Sequence, residues 1–163
     1  MSPEFDGLPK DINLEPFDIE TEYVADPLIA DGFYRGLITK VELKTDSGIL
    51  DFTVHLQGNE GVFCTDGITP VDDKTSRYTL WLPQKGDDLV KSQFSALTVR
   101  QDRIRSIKKF SEKTKILIGT EKDIQNAIAS QEWLSIPVIV YIKSKPYEGV
   151  LYNRITKMER ATS

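Results

Sequence analysis

Strict alternation of apolar and polar residues in ILDFTVHLQ, residues 49–57, constrains this chain more than any other feature. The apolar positions are Leu50, Phe52, Val54 and Leu56. A period of two over this length is typical of a β-strand with one buried face. The preceding segment FYRGLITKVELK, residues 33–44, also alternates, and the turn sequence TDSG joins the two. Together they predict a β-hairpin.

In residues 33–44 the alternation predicts which side chains share a face. One face carries Phe33, Arg35, Leu37, Thr39, Val41 and Leu43. The other carries Tyr34, Lys40, Glu42 and Lys44. Gly36 is expected to allow a bend or a bulge in this long strand.

The remaining segments predict a third strand, helices and a second hairpin. RYTLWLP, residues 77–83, is the third strand, and its polar face carries Arg77, Thr79 and Trp81. One helix is expected to begin at Asp87 or Asp88 and to run through Leu97, and RQDRIRSIKKF continues with helical spacing. Another is expected over residues 120–134, where Thr120 and Asp123 resemble a capping box. Two strands follow, residues 136–143 and 149–160, with SKPYE as their loop.

This β-β-β-α-β-β order predicts a mainly β chain with a helical insertion, of the α+β class. A five-stranded OB-like barrel fits the order, and an elaborated sheet of other connectivity is the alternative. Residues 1–31 contain nine acidic residues and four prolines and predict an acidic, extended N-terminal arm. Its aromatic residues Phe5, Phe17 and Tyr23 are candidates for docking on the body. Residues 32–160 then form an OB-like nucleic-acid-binding domain.

The charge of the chain is unevenly distributed. The net charge is −4, but residues 1–90 have a balance of −11 and residues 91–163 a balance of +7. Such asymmetry points to a basic binding surface, or to two halves that pack through opposite charges.

The second hairpin and the third strand supply candidate binding residues. A single-stranded nucleic acid needs aromatic faces for its bases and cations for its phosphates. The candidates for stacking are Trp81, Tyr141, Tyr147 and Tyr152. The candidates for phosphate contacts are Arg77, Lys143, Lys145 and Arg154. The alternatives are that Trp81 is covered by a helix, the arm or a partner, and that the hairpin is a solvated surface with half-buried tyrosines.

Two segments carry a resemblance to a known family. ADGFYRGLITKVELKTDSGILDFTVHLQGN and VLYNRITKMER resemble the opening hairpin and the last strand of phage-type single-stranded DNA-binding proteins with an OB-fold core. The resemblance implies a non-catalytic protein that coats and protects exposed strands during phage DNA replication or recombination. It also implies a location in the cytoplasm of the host cell.

Other functions have weaker support in the sequence. The chain has one Cys and one His, which excludes an intrachain disulfide and a Cys/His zinc site. Phosphate-binding glycine motifs and a GxSxG elbow are absent, so no catalytic residue, metal, cofactor or small-molecule substrate is expected. No apolar run is long enough to span a membrane, and no membrane partner is expected. RNA binding and self-association stay open. The alternative function is a protein-interaction or virion-assembly module on the same β-scaffold.

Overall fold

The computed structural model describes residues 14–23 and 26–162. The strands are β1 Gly32–Lys44, β2 Ile49–Leu56, β3 Thr75–Trp81, β4 Pro137–Tyr147 and β5 Val150–Arg160. The α-helices are α1 Ile19–Glu22, α2 Val99–Thr114 and α3 Glu121–Ser130, and a single 3₁₀ turn covers Asp87–Leu89. A mainly β chain with helices between the third and fourth strands is thereby confirmed. None of the described helices has the length and apolarity needed to cross a membrane.

The five strands form one antiparallel sheet in the order β3-β2-β1-β4-β5. β1 serves both halves of this sheet, because residues 32–37 pair with β4 and residues 36–44 pair with β2. The edge strands β3 and β5 approach each other, with Cα atoms within 8 Å. They are not paired in the described sheet, which is therefore open, and the closed barrel expected from the sequence is not shown.

A β-bulge corrects the face assignment of the first strand. The register of β1 on β2 shifts between Ile38 and Lys40, so Thr39 is the extra residue. An extra residue reverses the alternation on its N-terminal side. Tyr34 therefore points into the core and is buried, whereas Phe33 is exposed, opposite to the expectation. From Val41 onward the expected alternation holds.

Gly36 lies at the junction where β1 pairs with both neighbouring strands. A Cβ atom placed there would lie 2.6 Å from Val54 Cγ1 and 2.8 Å from the His55 carbonyl oxygen. No real contact is that short, so any side chain would push β2 away from β1. The bend expected at this glycine is thus explained by close backbone approach rather than by a positive φ.

The core lies between the concave face of the sheet and the two longer helices. All four apolar positions of β2 are buried, as the alternation predicts. Phe110 of α2 stacks on Tyr78 of β3, with ring centroids 5.5 Å apart, and also contacts Phe52 of β2 at 5.1 Å. This aromatic cluster joins the helical insertion to the sheet.

The helix starts are set by capping boxes. Thr120 and Asp123 form the reciprocal pair expected for α3. The helix expected to begin at Asp87 or Asp88 is wrong, because α2 begins only at Val99, where Thr98 and Gln101 form a capping box. The Asp87 carboxylate is instead bound by Arg103, and serine side chains in residues 92–95 bond to the local backbone. Such local bonds compete with helix formation.

Among the described residues of the N-terminal arm, those that contact the body lie in its last part, residues 26–31. Asn153 of β5 binds both the amide and the carbonyl of Ile29, whose side chain is buried. Residues 14–23 are exposed throughout, so Phe17 and Tyr23 do not dock on the sheet. Phe5, which the sequence also offers for docking, lies outside the described residues.

The aromatic cluster predicts a large difference between two phenylalanines. Phe110→Ala removes a fully buried ring and should lower the free energy of unfolding by about 3–5 kcal/mol. Phe94→Ala is the matched control, because Phe94 is 93% exposed, and should change it by no more than about 0.5 kcal/mol. Urea denaturation followed by circular dichroism measures both, and equal effects would contradict the packing described.

Candidate nucleic-acid interface

The β4–β5 hairpin is longer and tighter than its sequence predicts. Residues 144–147 are part of β4 rather than of a loop, and only Glu148 and Gly149 turn the chain. Both have positive φ, 50° and 80°, as a two-residue type I′ turn requires. Lys145 and Tyr147 are therefore held on a strand. This matters because a strand fixes the direction and spacing of its side chains.

One outer face of this hairpin collects six of the eight candidate residues. Tyr141, Lys143, Lys145 and Tyr147 alternate along β4, so they project from the same side. The cross-strand partners of the two lysines are Arg154 and Tyr152, respectively. We call this surface the hairpin face; its members are Tyr141, Lys143, Lys145, Tyr147, Tyr152, Arg154 and Lys157.

The rings of the hairpin face lie against one another and against cations. Tyr147 and Tyr152 meet edge to face, with centroids 6.2 Å apart. Tyr141 meets Phe33 edge to face at 4.8 Å, and Lys157 Nζ lies 5.9 Å from the Tyr141 ring centroid. Tyr141 is thus half-buried, whereas Tyr147 remains 64% exposed. The ring at the tip of the hairpin is the more accessible of the two.

Lys157 is part of the hairpin face and Phe33 borders it, and neither is among the sequence candidates. Phe33 is exposed beside Tyr141 only because the bulge at Thr39 reverses the first half of β1. Lys157 is the cross-strand partner of Tyr141 and lies on the same face, next to a second bulge in the β4–β5 register. Simple alternation does not predict either position. A β-bulge moves the side chains on one side of it to the opposite face of the sheet, and the sequence around the bulge does not clearly indicate it.

A groove of about 420 Å³ lies beside the hairpin face, where β3 and β5 approach each other. We call it the seam groove. It brings together four candidates that are about 75 residues apart in sequence, Arg77 and Trp81 from β3 and Tyr152 and Arg154 from β5. Its other lining residues are Lys44, Ile49, Asp51, Thr53, Thr75, Ser76, Thr79 and Asn153. Tyr152 and Arg154 are common to both surfaces, so the two are continuous.

Asp51 is a buried carboxylate in the wall of the seam groove. It accepts a 2.6 Å hydrogen bond from the Thr79 hydroxyl. Lys44 Nζ lies 3.1 Å from its other oxygen, and Arg77 Nη1 lies 3.8 Å from the same atom. The Asp51 carboxylate therefore holds the side chains of Lys44 and Arg77 in place. The hairpin-face cations, in contrast, have no carboxylate within 4 Å among the residues that the structure describes.

Trp81 is 46% exposed at the end of β3, and a helix covers part of it. The Arg103 guanidinium of α2 lies 5.5 Å from its ring centroid. Arg103 is itself held by the Asp87 carboxylate at 2.8 Å and by the Leu82 carbonyl at 3.1 Å. One side of the Trp81 ring is thus covered by Arg103, and another part of the ring is exposed to solvent. Tyr78, on the opposite face of β3, is partly buried against the core, and burial raises the pKa of its hydroxyl.

The single His and the single Cys of the chain do not line the seam groove. His55 Nε2 lies 2.9 Å from Asp73, and Cys64 is buried with its Sγ directed to the Pro70 carbonyl. Burial raises the pKa of the Cys64 thiol and so favours its protonated form. In the part of the chain described, no group of three or more His, Cys, Asp or Glu residues is arranged to hold a metal ion.

No protein-family model matches this chain, and no curated protein sequence is significantly similar to it. The geometry above is therefore the basis for assigning a function.

The placement of the two tryptophans can be checked by fluorescence quenching. Trp133 is 5% exposed, so only Trp81 should be accessible to acrylamide. The Trp81→Phe variant should lose most of the quenching and keep the blue-shifted emission of Trp133. If quenching in Trp81→Phe equals that of the wild type, Trp81 is not at an accessible surface.

Proposed function

We propose that this protein binds single-stranded DNA without catalysis, and that it coats and protects exposed strands during phage DNA replication or recombination. The observation that carries the proposal is the hairpin face, where tyrosine rings and cations share one side of β4 and β5 and continue into the seam groove. Among the described residues, no carboxylate lies within 4 Å of these cations. Rings accept unpaired bases by stacking, and cations neutralise phosphates between them. The host cytoplasm, where such strands are produced, is the proposed location.

An OB-like barrel is part of this proposal. Its support is the strand order, the bent β1 shared by both halves, and the close approach of β3 and β5. The OB-fold is a partly open five-stranded barrel that binds oligonucleotides on the face of strands two and three and with the loop between strands four and five. The seam groove and the hairpin face correspond to these two positions.

In the proposed complex each surface has its own role. Tyr147 and Tyr152 stack bases at the accessible tip, and Tyr141 supports the end nearer the sheet. Lys143, Lys145 and Arg154 hold phosphates between them. The strand then enters the seam groove, where Arg77 contacts the backbone and the open side of Trp81 takes a further base.

Charge reversal tests the phosphate contacts. Lys143→Glu combined with Lys145→Glu should weaken binding of a labelled single-stranded oligonucleotide roughly tenfold per lysine, as expected for charged hydrogen bonds of about 1.5 kcal/mol. Loss of two contacts should also reduce the slope of log K against log salt by about 1.4, at roughly 0.7 per phosphate on single strands.

The matched control is Lys108→Glu combined with Lys109→Glu, which makes the same charge change on the exposed face of α2. Binding by this variant should stay within about threefold of the wild type, because neither lysine belongs to the hairpin face or lines the seam groove, and salt screens exposed charges that make no direct contact. Equal losses in the two double variants would leave only a non-specific charge effect and would overturn the assignment of the hairpin face.

Stacking is tested at Tyr152. Tyr152→Ala should weaken binding of an oligonucleotide of about ten nucleotides by roughly 5- to 150-fold, which corresponds to about 1–3 kcal/mol per stacked base. Tyr152→Phe keeps the ring and should bind nearly as the wild type does. The loss should disappear with duplex DNA of the same sequence, since its bases are already stacked. An equal loss with duplex DNA would contradict stacking. Binding of a ribo-oligonucleotide of the same sequence, measured alongside, compares the affinity for RNA with that for DNA.

The competing proposal is a protein-interaction module, which the apolar tip of the hairpin favours. Tyr147, Val150 and Leu151 are each more than half exposed. A protein contact through these residues would depend little on salt, and no oligonucleotide would bind even at low ionic strength. Salt-sensitive oligonucleotide binding would decide for the DNA function.

A further inference from the structure

The N-terminal arm exposes an unusual number of apolar side chains. Leu14, Phe17, Ile19 and Tyr23 are each 67–77% exposed, and α1 has no buried residue. A single helical turn is not stable in water through its backbone bonds alone. Clustered exposed apolar residues mark an interaction site. The arm is therefore built to bind another surface.

The charge of the arm defines what that surface must be. Residues 14–23 contain Glu15, Asp18, Glu20 and Glu22 and no basic residue. A matching surface combines an apolar concavity with basic surroundings. Single apolar side chains of the arm can then be buried while its carboxylates stay near cations.

A groove with these properties lies between β3 and α2. It has a volume of about 460 Å³ and is lined by Trp81, Val90, Phe94 and Val99, with Lys91 and Arg103 among its polar residues. Phe94 and Val90 are exposed. Residues 91–115, which form one wall and continue into the rest of α2, contain eight basic and two acidic residues. We call it the helix-side groove.

Among the surfaces described, this groove suits the arm better than the seam groove does. The lining of the seam groove is mostly polar, with three threonines, Ser76 and Asn153, and leaves few apolar contacts for the side chains of the arm. In the helix-side groove the one carboxylate, Asp102, accepts a hydrogen bond from the Ser95 hydroxyl. Residues 78–81 of β3 also line the groove consecutively, so its wall is a strand edge with backbone groups available to an extended segment.

We infer that the arm of one copy of this chain binds the helix-side groove of a second copy. Within one copy residues 14–23 of the arm are exposed and the groove is open, so each chain carries both halves of a head-to-tail contact. Such a contact need not close into a dimer and can add further copies in a row.

The inference has a consequence that rests on the proposed function. Neighbouring copies on one DNA strand are held at an effective concentration in the millimolar range, so a weak contact becomes significant there. The arm would thus make DNA binding cooperative without touching DNA.

The first experiment contains no DNA. Sedimentation equilibrium of the full chain should show an average mass that rises with protein concentration. Phe17→Ala in the arm and Phe94→Ala in the groove should each weaken association at least about fivefold, the effect of losing an interface anchor worth more than 1 kcal/mol. Ile68→Ala, which shortens an exposed side chain on a loop that does not line the groove, should leave it unchanged.

Mixing the two variants sharpens the test. The Phe17→Ala protein retains an intact groove, and the Phe94→Ala protein retains an intact arm. The mixture should therefore form heterodimers but no assembly of more than two copies. A mass that stays monomeric at all concentrations in the wild type would overturn the inference. So would variants that associate like the wild type, or Trp81 emission that responds to Phe17→Ala independently of concentration, since that indicates docking within one chain.

Oligonucleotides of two lengths separate this inference from the proposed function. On a length that holds one copy, Phe17→Ala should bind like the wild type; on a length that holds several, it should lose cooperativity. Binding at both lengths with no change in cooperativity would refute only the arm contact. Absence of oligonucleotide binding at both lengths would refute the DNA function and leave the sedimentation result to decide on self-association.

Discussion

The bend of β1 is the constraint on which the rest of the structure depends. This one strand pairs with β4 through its first half and with β2 through its second. Two local features make that possible. Gly36 lets the backbones of β1 and β2 approach where a Cβ atom has no room, and the bulge at Thr39 adds a residue that turns the strand. The backbone of Ile38 bonds to residues 135 and 136 and so anchors the turn to the chain leading into β4.

The bend has a direct effect on the candidate site. It curls the sheet until the edge strands β3 and β5 approach, and that approach forms the seam groove. The helical insertion contributes through Phe110, which packs between β2 and β3, and through Arg103, which covers one side of Trp81. The same chain segments therefore hold the core together and limit which side of the tryptophan is open.

Distribution of charge gives this acidic chain a basic surface at the second hairpin. The acidic residues of the first 90 positions lie partly in the arm, and one that enters the groove, Asp51, is neutralised by Lys44 and Arg77. The cations of the hairpin face are free of such partners among the described residues. The hairpin face therefore carries a local charge opposite in sign to the net charge of −4, which the proposed binding of a polyanion requires.

Local patterns in the sequence determined the buried face of β2, the capping box of α3 and the shared face of Tyr141 and Lys143 on β4. Each depends on residues a few positions apart, for which period and propensity suffice. Tertiary structure decided the outward position of Phe33, the strand conformation of residues 144–147 and the meeting of Arg77 and Trp81 with Tyr152 and Arg154. The first follows from a bulge, the second from ten cross-strand partners in β4–β5, and the third from a bend that brings together strands about 75 residues apart. Contacts of that separation arise from how the whole sheet curls, which no short stretch of sequence specifies.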